Sequence, residues 1–248
     1  MQAAQVVGVR SQTTNQEGFN THFVKRSPLI VTGMENMYID ERMLDEIEGG
    51  SSYCFHVYEQ QHPEVVLGRS RDEEKDVHIE RVRMDRVPVL RRIGGGGTVL
   101  LAPGVIVISV AGKSSLPFHL REHMNAVNLA VITSLQALGV RDLSIRGISD
   151  IAIGDSKILG SSLYRRKDTV LYQGSLLLNP DLSLVEYYLK HPEMEPDYRR
   201  GRSHREFLTS LWKEGYRIPK AGVVQALKEI LMQGAPWETR HGFSPHLS

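Results

Sequence analysis

The sequence predicts an α+β fold, a largely antiparallel mixed sheet with helices packed mainly on one face. Three observations point there. Met124, Val127, Val131, Leu135 and Leu138 recur at helical spacing and draw one apolar stripe. Short β-prone runs punctuated by turn signals recur along the chain, as in Tyr53 to Tyr58, Lys157 to Tyr164 and Val170 to Leu178. Helices and strands do not alternate strictly, which argues against a parallel βαβ array.

Each element has its own local reason. Residues 1–27 are polar and aperiodic and are expected to form a flexible N-terminal arm, with order beginning at the β-prone run Pro28 to Val31. Ile39, Met43, Leu44 and Ile47 predict a helix closed by Gly49 and Gly50. Tyr53 to Tyr58 and Glu64 to Leu67 read as strands joined by a turn at Gln61, His62 and Pro63. Arg69 to Arg86, with Val77, Ile79 and Val82, predicts a short surface helix. Val87 to Leu90 and Val99 to Leu101 flank a glycine run, and the unbroken apolar stretch Val105 to Val110 predicts a buried strand. Gly139 stands where the central helix should be capped. Ile151 to Ile153 completes the strands, with a hairpin turn at Arg166, Lys167 and Asp168. Leu182 to Leu189, His204 to Trp212 and Val223 to Met232 are helical by spacing. The expected division is the arm, a main domain over 28–217, and a C-terminal helix and tail over 218–248 that is no full accessory domain.

Apolar residues make up 41% of the 248 and charged residues 24%, with 30 Lys and Arg against 29 Asp and Glu for a formal charge of +1. That excludes a disordered chain, and no nucleic-acid partner is expected. The single cysteine, Cys54, cannot form an internal disulfide, so a reducing, cytoplasmic setting is expected. The most apolar run, Val99 to Val110, is too short for a membrane helix and contains Pro103 and Gly104, so no membrane partner is expected. The ten histidines show no HExxH or paired Cys/His spacing, His241 and His246 fall in the tail, and no metal-ligand set is expected.

Three stretches can carry chemistry. Arg91, Arg92, Ile93, Gly94, Gly95, Gly96, Gly97, Thr98 and Val99 join two arginines to four glycines. Without Cβ atoms such a backbone can approach a ligand and aim N–H groups at an anion, while arginine adds charge-assisted bonds. The alternative is a glycine-rich hairpin with two solvated arginines. Lys157 follows a turn at Gly154 and Asp155 and leads into the small residues Gly160, Ser161 and Ser162. It is either a compact charge for a phosphate or carboxylate, or an exposed strand lysine. Gly174 interrupts a strand and marks a bulge or a close approach.

Together these stretches resemble the lipoate-protein ligase family, within the biotin/lipoyl ligase and octanoyltransferase superfamily. Arg91 to Ala102 is similar to the family's RRxxGGGxVxHD, Gly154 to Ser162 to its DGRKISGSA, and Gln173 to Leu182 to its HGTLLLNxDL. Asn36 to Glu41 resembles its NLAIDE. The resemblance covers about residues 28 to 215 and implies a class II biotin/lipoyl ligase-like fold. It implies that lipoate is activated by ATP to lipoyl-AMP and passed to a lysine of a lipoyl-domain acceptor protein. By motif position, Arg92, Gly97, Thr98, Val99 and Leu100 would cradle the adenylate, with Gly96 and Arg91 in support. Lys157 would be the catalytic residue, bridging the lipoyl carbonyl and the α-phosphate, and Asp150 would face the nucleotide or its magnesium.

The chain departs from the pattern in two places. Leu101 and Ala102 replace His-Asp, and Gln173 replaces a frequent histidine. Only one helix and a tail follow Arg217, so a separate accessory-domain protein is an expected partner. One rival reading is an octanoyl or lipoyl transferase working through a cysteine thioester without ATP, for which Cys54 is the one candidate. Another is a non-catalytic lipoyl-binding subunit of a two-protein ligase. The basic segment Glu195 to Arg205 is either a surface loop or a dock for the acidic face of an acceptor domain.

Overall fold

The computed structural model describes residues 41–238, all within one unit, so the arm, the Pro28 to Val31 run, the first part of the NLAIDE-like segment and the His241–His246 tail lie outside the described residues. The elements in order are α1 (Glu41–Glu48), β1 (Tyr53–Glu59), β2 (Glu64–Leu67), α2 (Glu73–Asp76), α3 (Ile79–Met84), β3 (Val89–Arg91), β4 (Val99–Leu101) and β5 (Val105–Lys113). There follow α4 (Leu120–Ala137), β6 (Leu143–Arg146), β7 (Asp150–Ile153), β8 (Ser156–Arg166), β9 (Thr169–Leu177), α5 (Ser183–Tyr188), α6 (His204–Phe207) and α7 (Lys220–Leu231).

A six-stranded antiparallel sheet, ordered β1-β5-β9-β8-β7-β6, carries the molecule. Its central strand β5 is buried over all but the last residue, which accounts for its unbroken apolar sequence. One face packs Ile106, Ile108, Val110, Val170, Tyr172 and Leu176 against Val127, Val131 and Leu135 of α4 and Val223, Leu227 and Leu231 of α7. Among the described residues α7, which follows residue 217, packs into this main core. The opposite face is divided. Ala111 and Leu171 receive α1 through Met43, Leu44 and Ile47, whereas Val105, Val107 and Leu177 meet a three-stranded sheet, β3-β2-β4, through Val66 and Leu101.

Several expectations change on folding. β1 and β2 are consecutive strands but belong to different sheets, because β1 pairs with β5 and β2 with β3 and β4. The predicted 69–86 helix is two, broken where Val77 is fully buried and bridges Leu189. The predicted 204–212 helix stops at Phe207, since Leu208 bridges Lys157 in parallel and Thr209 N–H donates to the Lys157 carbonyl at 2.9 Å. β6 has no clear sequence signature, being only half-buried at every position. Gly174 marks no bulge: its register is regular, and a Cβ there would lie 2.8 Å from Tyr172 Oη, which donates to Asn128 Oδ1 at 2.7 Å.

The glycine run joins β3 to β4 across the end of β2. Arg92 N–H donates to the Leu67 carbonyl at 3.0 Å and Arg69 N–H to the Gly94 carbonyl at 2.9 Å. Below it Asp76, at the end of α2, takes two bonds from the Arg71 guanidinium (2.7 and 2.5 Å) and one from the Thr98 hydroxyl. Burial alone would raise the Asp76 carboxyl, but the Arg71 and Thr98 bonds outweigh it and hold it below the ordinary value.

Two outcomes follow for stability. Leu227→Ala should cost about 2–5 kcal/mol in urea unfolding, because the leucine is fully buried between α7 and the sheet. Asp76, depressed in the folded state, adds stability above about pH 4 that is lost as pH falls through its lower folded value. Asp76→Asn should therefore cost about 2 kcal/mol at pH 7, with the gap to wild type narrowing in acid. A constant gap from pH 7 to pH 3 would overturn that account.

Candidate active site

Between α1 and the small sheet, the face of the large sheet opposite α4 and α7 carries a row of polar side chains. His56, Ser109, Gln173 and Ser162 stand directly opposite one another on β1, β5, β9 and β8 and so share one face. Ser109 Oγ is fully buried in this row without a hydrogen bond among the described residues. The glycine run lies over the row, for a Cβ at Gly94 would sit 3.2 Å from Ser162 Oγ and 3.4 Å from Gln173 Oε1.

Lys157 reaches the same face through a break in register. Asp150 pairs with Gly160 and Ile151 with Leu159, but Ala152 pairs with Lys157, so Ile158 is an extra residue on β8. Strict alternation would put Lys157 and Gly160 on opposite faces. The bulge lets Ile158 and Leu159 both enter the core and turns Lys157 outward beside Asp150. Lys157 Nζ lies 2.7 Å from Asp150 Oδ1, with the side chains 24% and 9% exposed. A Cβ at Gly160 would lie 2.7 Å from that nitrogen, so only glycine leaves the ammonium its place. Ser162, under the glycine run, is two residues from Gly160 on the same face, roughly 7 Å away. The structure thus brings Lys157, Asp150 and the glycine run to one face of the large sheet.

The carboxylate of Asp150 has a second partner. Tyr198 Oη, from a 3-10 turn over Asp197–Arg199, donates to Asp150 Oδ2 at 2.8 Å. Burial, followed by the Asp150 charge, pushes the Tyr198 phenol up, so it remains a donor through the neutral range. Lys157 and Tyr198 thus occupy the two oxygens of Asp150, and among the described residues no group of three or more His, Cys, Asp or Glu is arranged to hold a metal ion. The sequence pointed to the 195–205 segment only for its basic charge. Arg199 and Arg202 bind carbonyls of their own segment, Arg202 also reaches the Asp155 carbonyl, and both guanidinium groups lie over Phe207 at 5.0 and 5.3 Å.

Arg92 serves the glycine run from within. Its guanidinium donates to the carbonyls of Gly95 (2.6 Å) and Gly97 (2.8 Å) and is buried. Peptide planarity then turns the N–H groups of Gly96 and Thr98 the opposite way, outward. Gly96, at φ +92°, makes this reversal possible, and Gly95 and Gly97 are exposed. Arg91 secures the neighbouring loop through the carbonyls of Gly68 and Arg71. Val99 is half-buried, and Leu100, paired with Val65 on β2, turns its side chain into the small-sheet core. Leu101 and Ala102 are likewise core residues, at 3% and 2% exposure, so the departure from His-Asp is absorbed by packing. Cys54 packs under α1, its thiol 3.9 Å from the Met43 carbonyl.

The family described as lipoyl protein ligase A/B catalytic domain matches residues 32–232. Lipoate–protein ligase 1 of Staphylococcus aureus is 27% identical over 157 residues, 62% of this chain and 46% of that one, so the chain spans about half the length of this relative. The bi-partite lipoate protein ligase of Thermoplasma acidophilum, studied with its E2 lipoyl domain, has a similar structure: TM-score 0.66, 23% identity, 78% of this chain and 75% of that one. Lipoate-protein ligase A bound with ATP gives 0.65 at 23% identity, over 78% and 77% of the two chains. These two likenesses establish the fold, and the match over residues 32–232 places the chain in the lipoyl protein ligase A/B catalytic domain family.

Proposed function

We propose that this chain activates lipoate with ATP and transfers the lipoyl group to a lysine of an acceptor lipoyl domain. The observation that carries the reading is the Lys157 ammonium turned by a bulge onto the face covered by the glycine run. In the first step a carboxylate oxygen of lipoate attacks the α-phosphorus of ATP and pyrophosphate leaves. In the second the acceptor amine attacks the acyl carbon, AMP leaves and the amine gives up a proton. Neither step needs an enzyme nucleophile; both need fixed positive charge and aimed N–H donors around a developing anion. Lys157 supplies the charge, and the outward N–H groups of Gly96 and Thr98 supply donors, held by Arg92. Asp150 keeps the ammonium on the site face before the ligand arrives. Magnesium enters as part of the MgATP substrate.

The wider setting belongs to the same proposal. ATP is bound by one structural relative, and a lipoyl domain accompanies the bi-partite archaeal ligase. A separate accessory protein that completes the site for transfer is part of the reading, as is a reducing cytoplasmic setting, supported by the single cysteine. The thioester route through Cys54 is disfavoured because that residue packs beneath α1 against Met43 and Leu44.

Incubation of the chain with MgATP, lipoate and a lipoyl domain, read by mass, should show lipoyl-AMP and a lipoylated acceptor. Lys157→Ala should lower adenylate formation by roughly a hundredfold, about 3 kcal/mol, with the fold retained by circular dichroism. Near-normal turnover by that variant would overturn the assignment. Cys54→Ser should leave the rate unchanged; an acyl-thioester trapped on Cys54 would instead establish the transferase route. If pyrophosphate release is fast but acceptor lipoylation is slow, adding an accessory protein should restore transfer, and complete transfer by the chain alone would remove that requirement.

A further inference from the structure

The segment between α5 and α6 is built around one contact with the site. Pro196 and Tyr198 lie against Gly147, where a Cβ would come within 3.3 and 3.6 Å of them. The Tyr198 ring packs on Phe207 with centroids 5.0 Å apart, and the Arg146 guanidinium lies over it at 5.5 Å. Arg202 donates to the Tyr198 carbonyl and to the Asp155 carbonyl, both at 2.8 Å, which ties the segment to the turn just before Lys157. Glu195 accepts from Gly201 N–H and pairs with Arg199. A capping box at Ser203 and Glu206 starts α6, and Leu208 then bridges Lys157 itself. These contacts restrain the ring and the backbone on both sides of the phenol, whose hydroxyl meets Asp150.

We propose that Tyr198 is a positioning residue for Lys157: by fixing one oxygen of Asp150 it holds the other where it clasps the ammonium over Gly160. A carboxylate with a single partner turns about its Cβ–Cγ bond at little cost, whereas one bonded at both oxygens has one orientation. The chain Tyr198–Asp150–Lys157 therefore carries the rigidity of the 195–208 segment to the one ammonium that the bulge exposes. Tyr198 acts through Asp150 rather than on the substrate. The kinetic consequence rests on the ligase reading; the geometric one does not.

Two measurements separate these. In the first, the folded full chain is treated with an amine-acylating N-hydroxysuccinimide ester and each lysine is followed by peptide mass spectrometry. Tyr198→Phe, which keeps the ring, should speed acylation of Lys157 several-fold and leave Lys113 and Lys228 unchanged. Asp150→Asn should do the same, and adding Tyr198→Phe to it should bring no further increase. Equal Lys157 reactivity in wild type and Tyr198→Phe, or additive effects in the double variant, would overturn the proposal whether or not the chain is a ligase. In the second, pyrophosphate release is measured with MgATP and lipoate. Tyr198→Phe should lower kcat about tenfold with KM for ATP within about twofold, as expected for a charge-assisted bond lost from a positioning contact. A wild-type chain with no pyrophosphate release refutes the ligase reading alone and leaves the labelling result to decide on Tyr198. Loss confined to KM, or to thermal stability, would make Tyr198 merely structural.

Discussion

A single extra residue on β8 sets the geometry of the site. With Ile158 bulged into the core, Lys157 shares a face with Asp150, Gly160 and Ser162; in regular register it would stand on the side filled by α4 and α7. An ammonium there would enter a layer built mainly of apolar side chains, at a cost of several kcal/mol. The bulge is therefore tied to the core as much as to the site. Ile158 and Leu159 together fill the space above α4 that a strictly alternating strand would only half fill, and that packing resists the return to regular register.

The rest of the site is arranged around the charge so placed. Its carboxylate partner is held on one side by the ammonium and on the other by a phenol, so both carboxylate oxygens are bonded. The glycine run is organised on a different principle. The carbonyls of Gly95 and Gly97 are gathered around a buried guanidinium and that of Gly94 accepts from Arg69 N–H, so a loop of four glycines, which loses much backbone entropy on ordering, keeps a defined shape. Asp76 anchors the far end of that loop through Thr98. Arg92 thus works here as scaffold for the loop, and the ammonium on the site face is that of Lys157, paired with Asp150.

Membership of the lipoyl protein ligase A/B catalytic domain family is consistent with the two departures once their surroundings are visible. Leu101 and Ala102 belong to the packing that joins the small sheet to the large one, where polar side chains would need partners. Gln173 stays in the polar row with Ser109 and Ser162, so the row keeps an amide where an imidazole was expected. The C-terminal helix α7 is a wall of the main core.

The sequence by itself determined the class of fold, the central helix, the buried strand β5 and the two stretches that meet in the site. Each of these is a local matter: apolar periodicity, continuous burial, or a dense run of glycines and charges that few other structures would require. What only the tertiary structure decided is where those stretches point. The bulge at Ile158, the inward turn of Arg92 and the separation of β1 and β2 into two sheets depend on packing against partners far along the chain. Tyr198 is the clearest case. Its hydroxyl meets a carboxylate 48 residues away, and no spacing or composition marks it, because side-chain hydrogen bonds between distant segments leave no periodic trace in the sequence.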